Sequence, residues 1–116
     1  MDLLVGYAKK YNVKLIDVAV TTDYHKTVNM PEETFIEHSC NIGDEIIIGL
    51  YNNPERRLVS FFHEVGHTLY EGDAKNKYDQ ECRAWQACFR LLKEEKIPVT
   101  EETTRWCREQ LKTYIE

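Results

Sequence analysis

The chain has 116 residues, 42% hydrophobic and 30% charged. That is ordinary globular usage and excludes a collagen-like or low-complexity chain. Fifteen Lys and Arg stand against 20 Asp and Glu, for a net charge of −5, which argues against the basic stripe of a nucleic-acid binder. No apolar run nears membrane-spanning length, and the length suits one domain. Residues 1–116 are therefore expected to form one compact domain with no nucleic-acid and no membrane partner.

Cys40, Cys82, Cys88 and Cys107 include no Cys-x-x-Cys pair, so a zinc ribbon has no support. The apolar stretch Met1 to Gly6 is too short for a secretory signal. Four free thiols in a reduced, cytoplasmic chain are the expectation.

Residues 2–11 carry Leu3, Leu4, Tyr7, Ala8 and Tyr11 at helical spacing, with Asn12 as the stop. Residues 13–20 are rich in β-branched side chains and read as a first strand. The polar stretch 24–33, with Pro31, reads mostly as loop. Residues 34–40 read as a second strand, and 45–51 as a third, nearly apolar throughout and so suited to burial on both faces. Asn53 and Pro54 then open a helix as cap and first residue. Its apolar positions are Leu58, Phe61, Phe62, Val65 and Leu69, and Gly72 is the terminator. A further helix spans 78–94. One face carries Cys82, Trp85, Phe89 and Leu92, with Ala84, Ala87, Cys88 and Leu91 beside it. A last helix spans 101–115, capped by Thr100, with Trp106, Leu111 and Ile115 as its apolar positions. A few strands followed by a helical half predict an α+β fold with a small sheet of about three strands.

One motif carries chemistry. His63-Glu64-Val65-Gly66-His67 has the form His-Glu-x-x-His. On a helix, residues four apart rise about 6 Å and lie on nearly the same face. Both imidazoles can then reach one metal ion, and Glu64 is placed to take a proton from metal-bound water. Gly66, costly inside a helix, leaves room between the histidines for another backbone or a substrate.

A zinc site of this kind needs a third protein ligand. Glu71, Asp73, Asp79 and Glu81 are the downstream candidates. Glu81 is favoured, because its helix can fold back across the first and its apolar face would hold the carboxylate in place. His25 is expected to be exposed, and His38 to lie on a solvent or cleft face. Tyr70, Tyr78, Arg83 and His38 are candidates for stabilising an oxyanion. Packing or rim surface competes as the role of Tyr70, and pairing with a carboxylate as that of Arg83.

The stretch His63 to Leu69 resembles the active-site helix of zincin metallopeptidases. Together with the strand before it, it is similar to the ImmA/IrrE family of small zinc peptidase-like proteins. That family continues with Glu-x-x-Ala and a paired leucine, matched here by Glu81-Cys82-Arg83-Ala84 and Leu91-Leu92. The resemblance spans residues 45–92. Arg83 stands where an acidic residue is common, and Ala87-Cys88 replaces a usual Phe-Ala pair. The resemblance implies zinc held by His63, His67 and Glu81, with Glu64 as catalytic base for peptide-bond hydrolysis. It also implies a protein or peptide substrate such as a phage-type or stress-response repressor, and a phage or prophage member. The competing expectation is a metal-binding zincin-fold interaction protein without turnover. A zinc hydrolase cutting a non-protein amide is a third.

Overall fold

The computed structural model describes residues 3–21, 23–70 and 75–114. The fold is α+β. The chain divides into two compact units, Met1–Phe61 and Phe62–Glu116, and the boundary falls inside the third helix.

In the first unit, α1 (Leu3–Lys10) buries Leu4 and Ala8. Asn12, at φ 55°, takes the left-handed turn that ends it. This is a conformation asparagine tolerates better than most residues. β1 (Lys14–Asp17) follows. It is shorter than the expected 13–20 because Asp17 turns the chain. The Asp17 Oδ1 accepts the Ala19 N–H at 3.1 Å, and the Asp17 carbonyl accepts those of Val20 and Thr21.

Two corrections fall next. The stretch 24–33, expected to be mostly loop, contains a one-turn helix, α2 (Tyr24–Thr27), and the start of a 3-10 turn, Glu32–Phe35. The expected strand at 34–40 does not form. Its Phe35-Ile36 portion makes one isolated parallel bridge, Ile36 to Leu50, and Glu37 at φ 47° breaks the extension. The strand β2 begins only at Cys40 and runs to Ile42. β3 (Glu45–Ile48) is central, parallel to β1 and antiparallel to β2. Its place in the middle explains its composition: Ile46, Ile47 and Ile48 are all buried. Ile47 packs with Val18 and Phe35 on one face of the sheet. Gly49 is required by close approach, since a Cβ there would lie 2.0 Å from the His38 carbonyl oxygen.

The helix α3 (Pro54–Tyr70) starts as its sequence indicates. The Asn53 Oδ1 accepts the N–H groups of Glu55 and Arg56 at 2.9 and 3.3 Å. Val59, Phe61, Phe62 and Val65 are fully buried, whereas Leu58 is half-buried and Leu69 is 44% exposed. Gly72 lies outside the described residues.

In the second unit, α4 (Lys77–Glu94) is capped by Asn76, whose side chain accepts the Asp79 N–H at 2.8 Å. Its buried stripe is Glu81, Ala84, Trp85, Ala87, Cys88, Leu91 and Leu92. Cys82 and Phe89 are only half-buried. α5 (Glu101–Lys112) is capped by Thr100 and packs on α4 through Thr103 and Cys107. Trp106 and Leu111, expected as its apolar positions, are half-buried, and Ile115 lies outside the described residues. The four cysteines are free. Among the described residues, no helix is long and apolar enough to cross a membrane.

Candidate metal centre

His63 and His67 stand one turn apart on α3, as the spacing requires. Their rings meet edge to face at 90°, with centroids 4.7 Å apart. The two Nε2 atoms are 3.1 Å apart. Glu81, near the start of α4, brings its carboxylate to the same point, Oε2 2.9 Å from His63 Nε2 and Oε1 3.2 Å from His67 Nε2. Among the described residues, this is the group of His, Cys, Asp or Glu side chains that could hold a metal ion.

The close approach of α3 and α4 here has a local cause. Gly66 faces the backbone of Ala84, and a Cβ at position 66 would lie 2.6 Å from the Ala84 carbonyl oxygen. Residue 66 lies between the two histidines, and Ala84 lies less than one turn beyond Glu81. The glycine therefore lets the third donor come within reach of the first two.

The donor set suits a metal ion. Ligands about 2.0–2.1 Å from a tetrahedral zinc stand roughly 3.3 Å from one another. The two Nε2 atoms are 3.1 Å apart, and each has a different Glu81 oxygen beside it, Oε2 at 2.9 Å from His63 and Oε1 at 3.2 Å from His67; one ligand atom from each residue lies within 4.8 Å of the others. The protonation states suit it also. Burial lowers the His63 pKa, outweighing the pull of Glu81 toward the cation, and so favours the neutral ring a metal needs. Burial alone would raise the Glu81 carboxyl. The hydrogen bonds and charges of His63 and His67 outweigh it and hold the group well below the usual carboxylate range.

The surroundings orient the donors. The Trp85 ring lies against His63, centroids 4.0 Å apart. His63 Nδ1 is buried and has no hydrogen-bond partner among the described residues, so the ring is held by its Nε2 contacts and by packing on Trp85. Glu64 is 5% exposed. Its charge is felt by the Cys88 thiol, which burial first, then Cys107 and Glu64, push well up.

The other candidates are accounted for separately. Asp79 is committed elsewhere: its Oδ2 accepts the Lys75 N–H at 2.9 Å and lies 3.3 Å from Arg83 Nε. That contact also gives Arg83 the carboxylate partner that was its alternative role. Glu71 and Asp73 lie outside the described residues, as does the side chain of Tyr70. Tyr78 is exposed. His38 is exposed, in the first unit. His25 is half-buried instead of exposed, 3.9 Å from Asp23.

Two residues that the sequence reading passed over border the site. Lys77 Nζ is 3.4 Å from Glu81 Oε1 and 5.8 Å from the centroid of the Tyr114 ring. Burial first, then the nearby negative charge of Glu81, raises the Tyr114 phenol. The signal for Tyr114 was its position seven residues after Cys107, two helical turns on from a buried position.

No protein-family model, curated protein or solved structure matches the chain.

Proposed function

We propose that this chain is a zinc-dependent peptide-bond hydrolase, a minimal zincin of ImmA/IrrE type. In this reading His63, His67 and Glu81 hold the zinc and Glu64 is the catalytic base. The observation that carries it is the convergence of two imidazole Nε2 atoms and one carboxylate, 2.9 to 3.2 Å apart. Two imidazoles and one carboxylate match the ligand set of catalytic zinc hydrolases.

Zinc held there supplies Lewis acidity, which acidifies water and polarises a carbonyl. The chain's own residues supply the rest. Glu64, next to the first ligand on the same rigid helix, accepts the proton of the attacking water and returns it to the leaving amine. Its burial keeps bulk solvent from competing for the carboxylate. Trp85 holds His63 in place, and the Gly66–Ala84 approach keeps Glu81 in the ligand set. The substrate in this reading is a protein or peptide in the cytoplasm, with DNA-binding repressors as the class the resemblance implies.

Incubating the zinc-loaded protein with candidate repressors tests the reading, with Glu64→Gln as control. Loss of a general base costs roughly 10²–10⁴ in rate. Cleavage by the parent with at least about a hundredfold loss in Glu64→Gln is expected. Cleavage at an equal rate in both would contradict the role of Glu64.

A further inference from the structure

The mouth of the site already binds a carboxylate. Lys77 Nζ lies 3.4 Å from Glu81 Oε1, and the Tyr114 phenol is near enough for the Glu81 charge to act on it. The two side chains also touch each other, with Lys77 Nζ 5.8 Å from the centroid of the Tyr114 ring. That contact is a cation–π pairing that gathers ammonium and phenol beside Glu81. They differ from Glu81 in accessibility. Glu81 is 3% exposed and Tyr114 42%, and the Lys77 side chain is 64% exposed. A buried carboxylate thus has two imidazoles and the Lys77 ammonium within 3.4 Å, and Lys77, with the Tyr114 ring beside it, is open to solvent.

We propose that Lys77 and Tyr114 form a carboxylate-binding rim, so that the site selects peptides presenting a carboxylate beside the reacting bond. This inference rests on the zinc reading given above. With a cation drawing on the oxygens of Glu81, Lys77 and Tyr114 lose much of the negative charge they now share. They keep their place at the mouth, and charge-assisted hydrogen bonds from an ammonium and a phenol suit an incoming carboxylate. Charge balance favours the same ligand. A divalent ion and Lys77 bring three positive charges against the two of Glu81 and Glu64, leaving one for an anionic substrate group to neutralise. In a chain of net charge −5, that makes the mouth a local exception. The carboxylate has two sources, a free peptide C-terminus or an acidic side chain.

The test is binding to the zinc-loaded Glu64→Gln protein, where turnover does not interfere, followed by calorimetry. Three forms of one short peptide serve as probes: a C-terminal acid, its amide, and the amide carrying one internal Asp. At least one of the two acidic forms is expected to bind about tenfold more tightly than the plain amide. Which one does so identifies the source. In Lys77→Met with Tyr114→Phe that preference is expected to fall to within about twofold, with zinc content unchanged. Equal binding of all three peptides to the zinc-loaded protein overturns the rim, as does a preference that survives the double substitution. Loss of zinc from the double variant also overturns it, because the pair would then be supporting a ligand and not recognising substrate. Zinc content of the parent, measured on the same samples, separates the two readings: zinc bound without carboxylate preference removes the rim alone, and no zinc removes both.

Discussion

Gly66 and Ala84 bring the two site helices together with no room for a further atom. A Cβ on residue 66 would meet the Ala84 carbonyl oxygen at 2.6 Å and the Ala87 Cβ at 3.2 Å. The first neighbour is backbone and cannot rotate aside. In an open helix interior, Gly→Ala gains about 1 kcal/mol. Here Gly66→Ala is expected to cost about 1–3 kcal/mol through overpacking and to weaken zinc binding by moving Glu81 away from His63 and His67. Urea unfolding with a parallel zinc titration checks both. A stabilised Gly66→Ala protein with unchanged zinc affinity would show that the helices do not depend on this contact.

The site also fixes the sign of a pH dependence. Burial lowers His63 from an ordinary value of 6.5, and the histidine partners lower Glu81 from 4.5. Both groups are held in their deprotonated forms by the fold. Their contribution to stability is therefore present above about pH 6.5 and is lost as pH falls, first through the titration of His63 and then, below 4.5, through that of Glu81. His67 and Lys77 face the same carboxylate and share in the charge balance. Urea unfolding of the metal-free protein at pH 7.5 and pH 5 is expected to show lower stability at pH 5, with a smaller difference in His63→Gln. Had the pairing with Glu81 prevailed over burial, His63 would be raised and stability would instead fall as pH rose past 6.5. Greater stability at pH 5 would establish that opposite sign.

A third expectation concerns the end of α4. Lys96 sits at φ 59°, the Ile97 N–H reaches the Leu92 carbonyl at 2.9 Å, and the Lys96 N–H reaches that of Lys93 at 3.1 Å. This is a Schellman ending with lysine in the position usually held by glycine. A left-handed lysine costs about 1 kcal/mol more than glycine, so Lys96→Gly is expected to raise stability by about 0.5–1 kcal/mol. Thermal unfolding measures it, and a fall in Tm would contradict the assignment.

The parts legible in the sequence are those set by short-range chemistry. Asn53-Pro54 and Thr100 mark helix starts because a side-chain oxygen beside the first free N–H groups is a local device. Ile46 to Ile48 announces a central strand because burial on both faces favours three consecutive isoleucines. The His63–His67 pair needs only helix spacing, and Glu81 needed one further idea, a helix folding back. The misread parts depend on distant partners. Phe35-Ile36 has strand composition, yet only Leu50 is opposite to pair with it, so one bridge forms and Glu37 turns away. On α5, Trp106 and Leu111 looked like the buried face. The packing instead chose the smaller Thr103 and Cys107, which permit a close approach to α4. Tyr114, just past the end of α5, was missed because its place beside Lys77 follows from how α5 packs on α4.

The central claim is that His63, His67 and Glu81 hold one zinc ion. The most direct test is zinc stoichiometry of the gently purified protein by elemental analysis, with Glu81→Gln and His63→Ala alongside. About one equivalent in the parent, lost in both variants, is the expected result. A parent that binds no zinc, or a Glu81→Gln protein that keeps its full equivalent, would contradict the site.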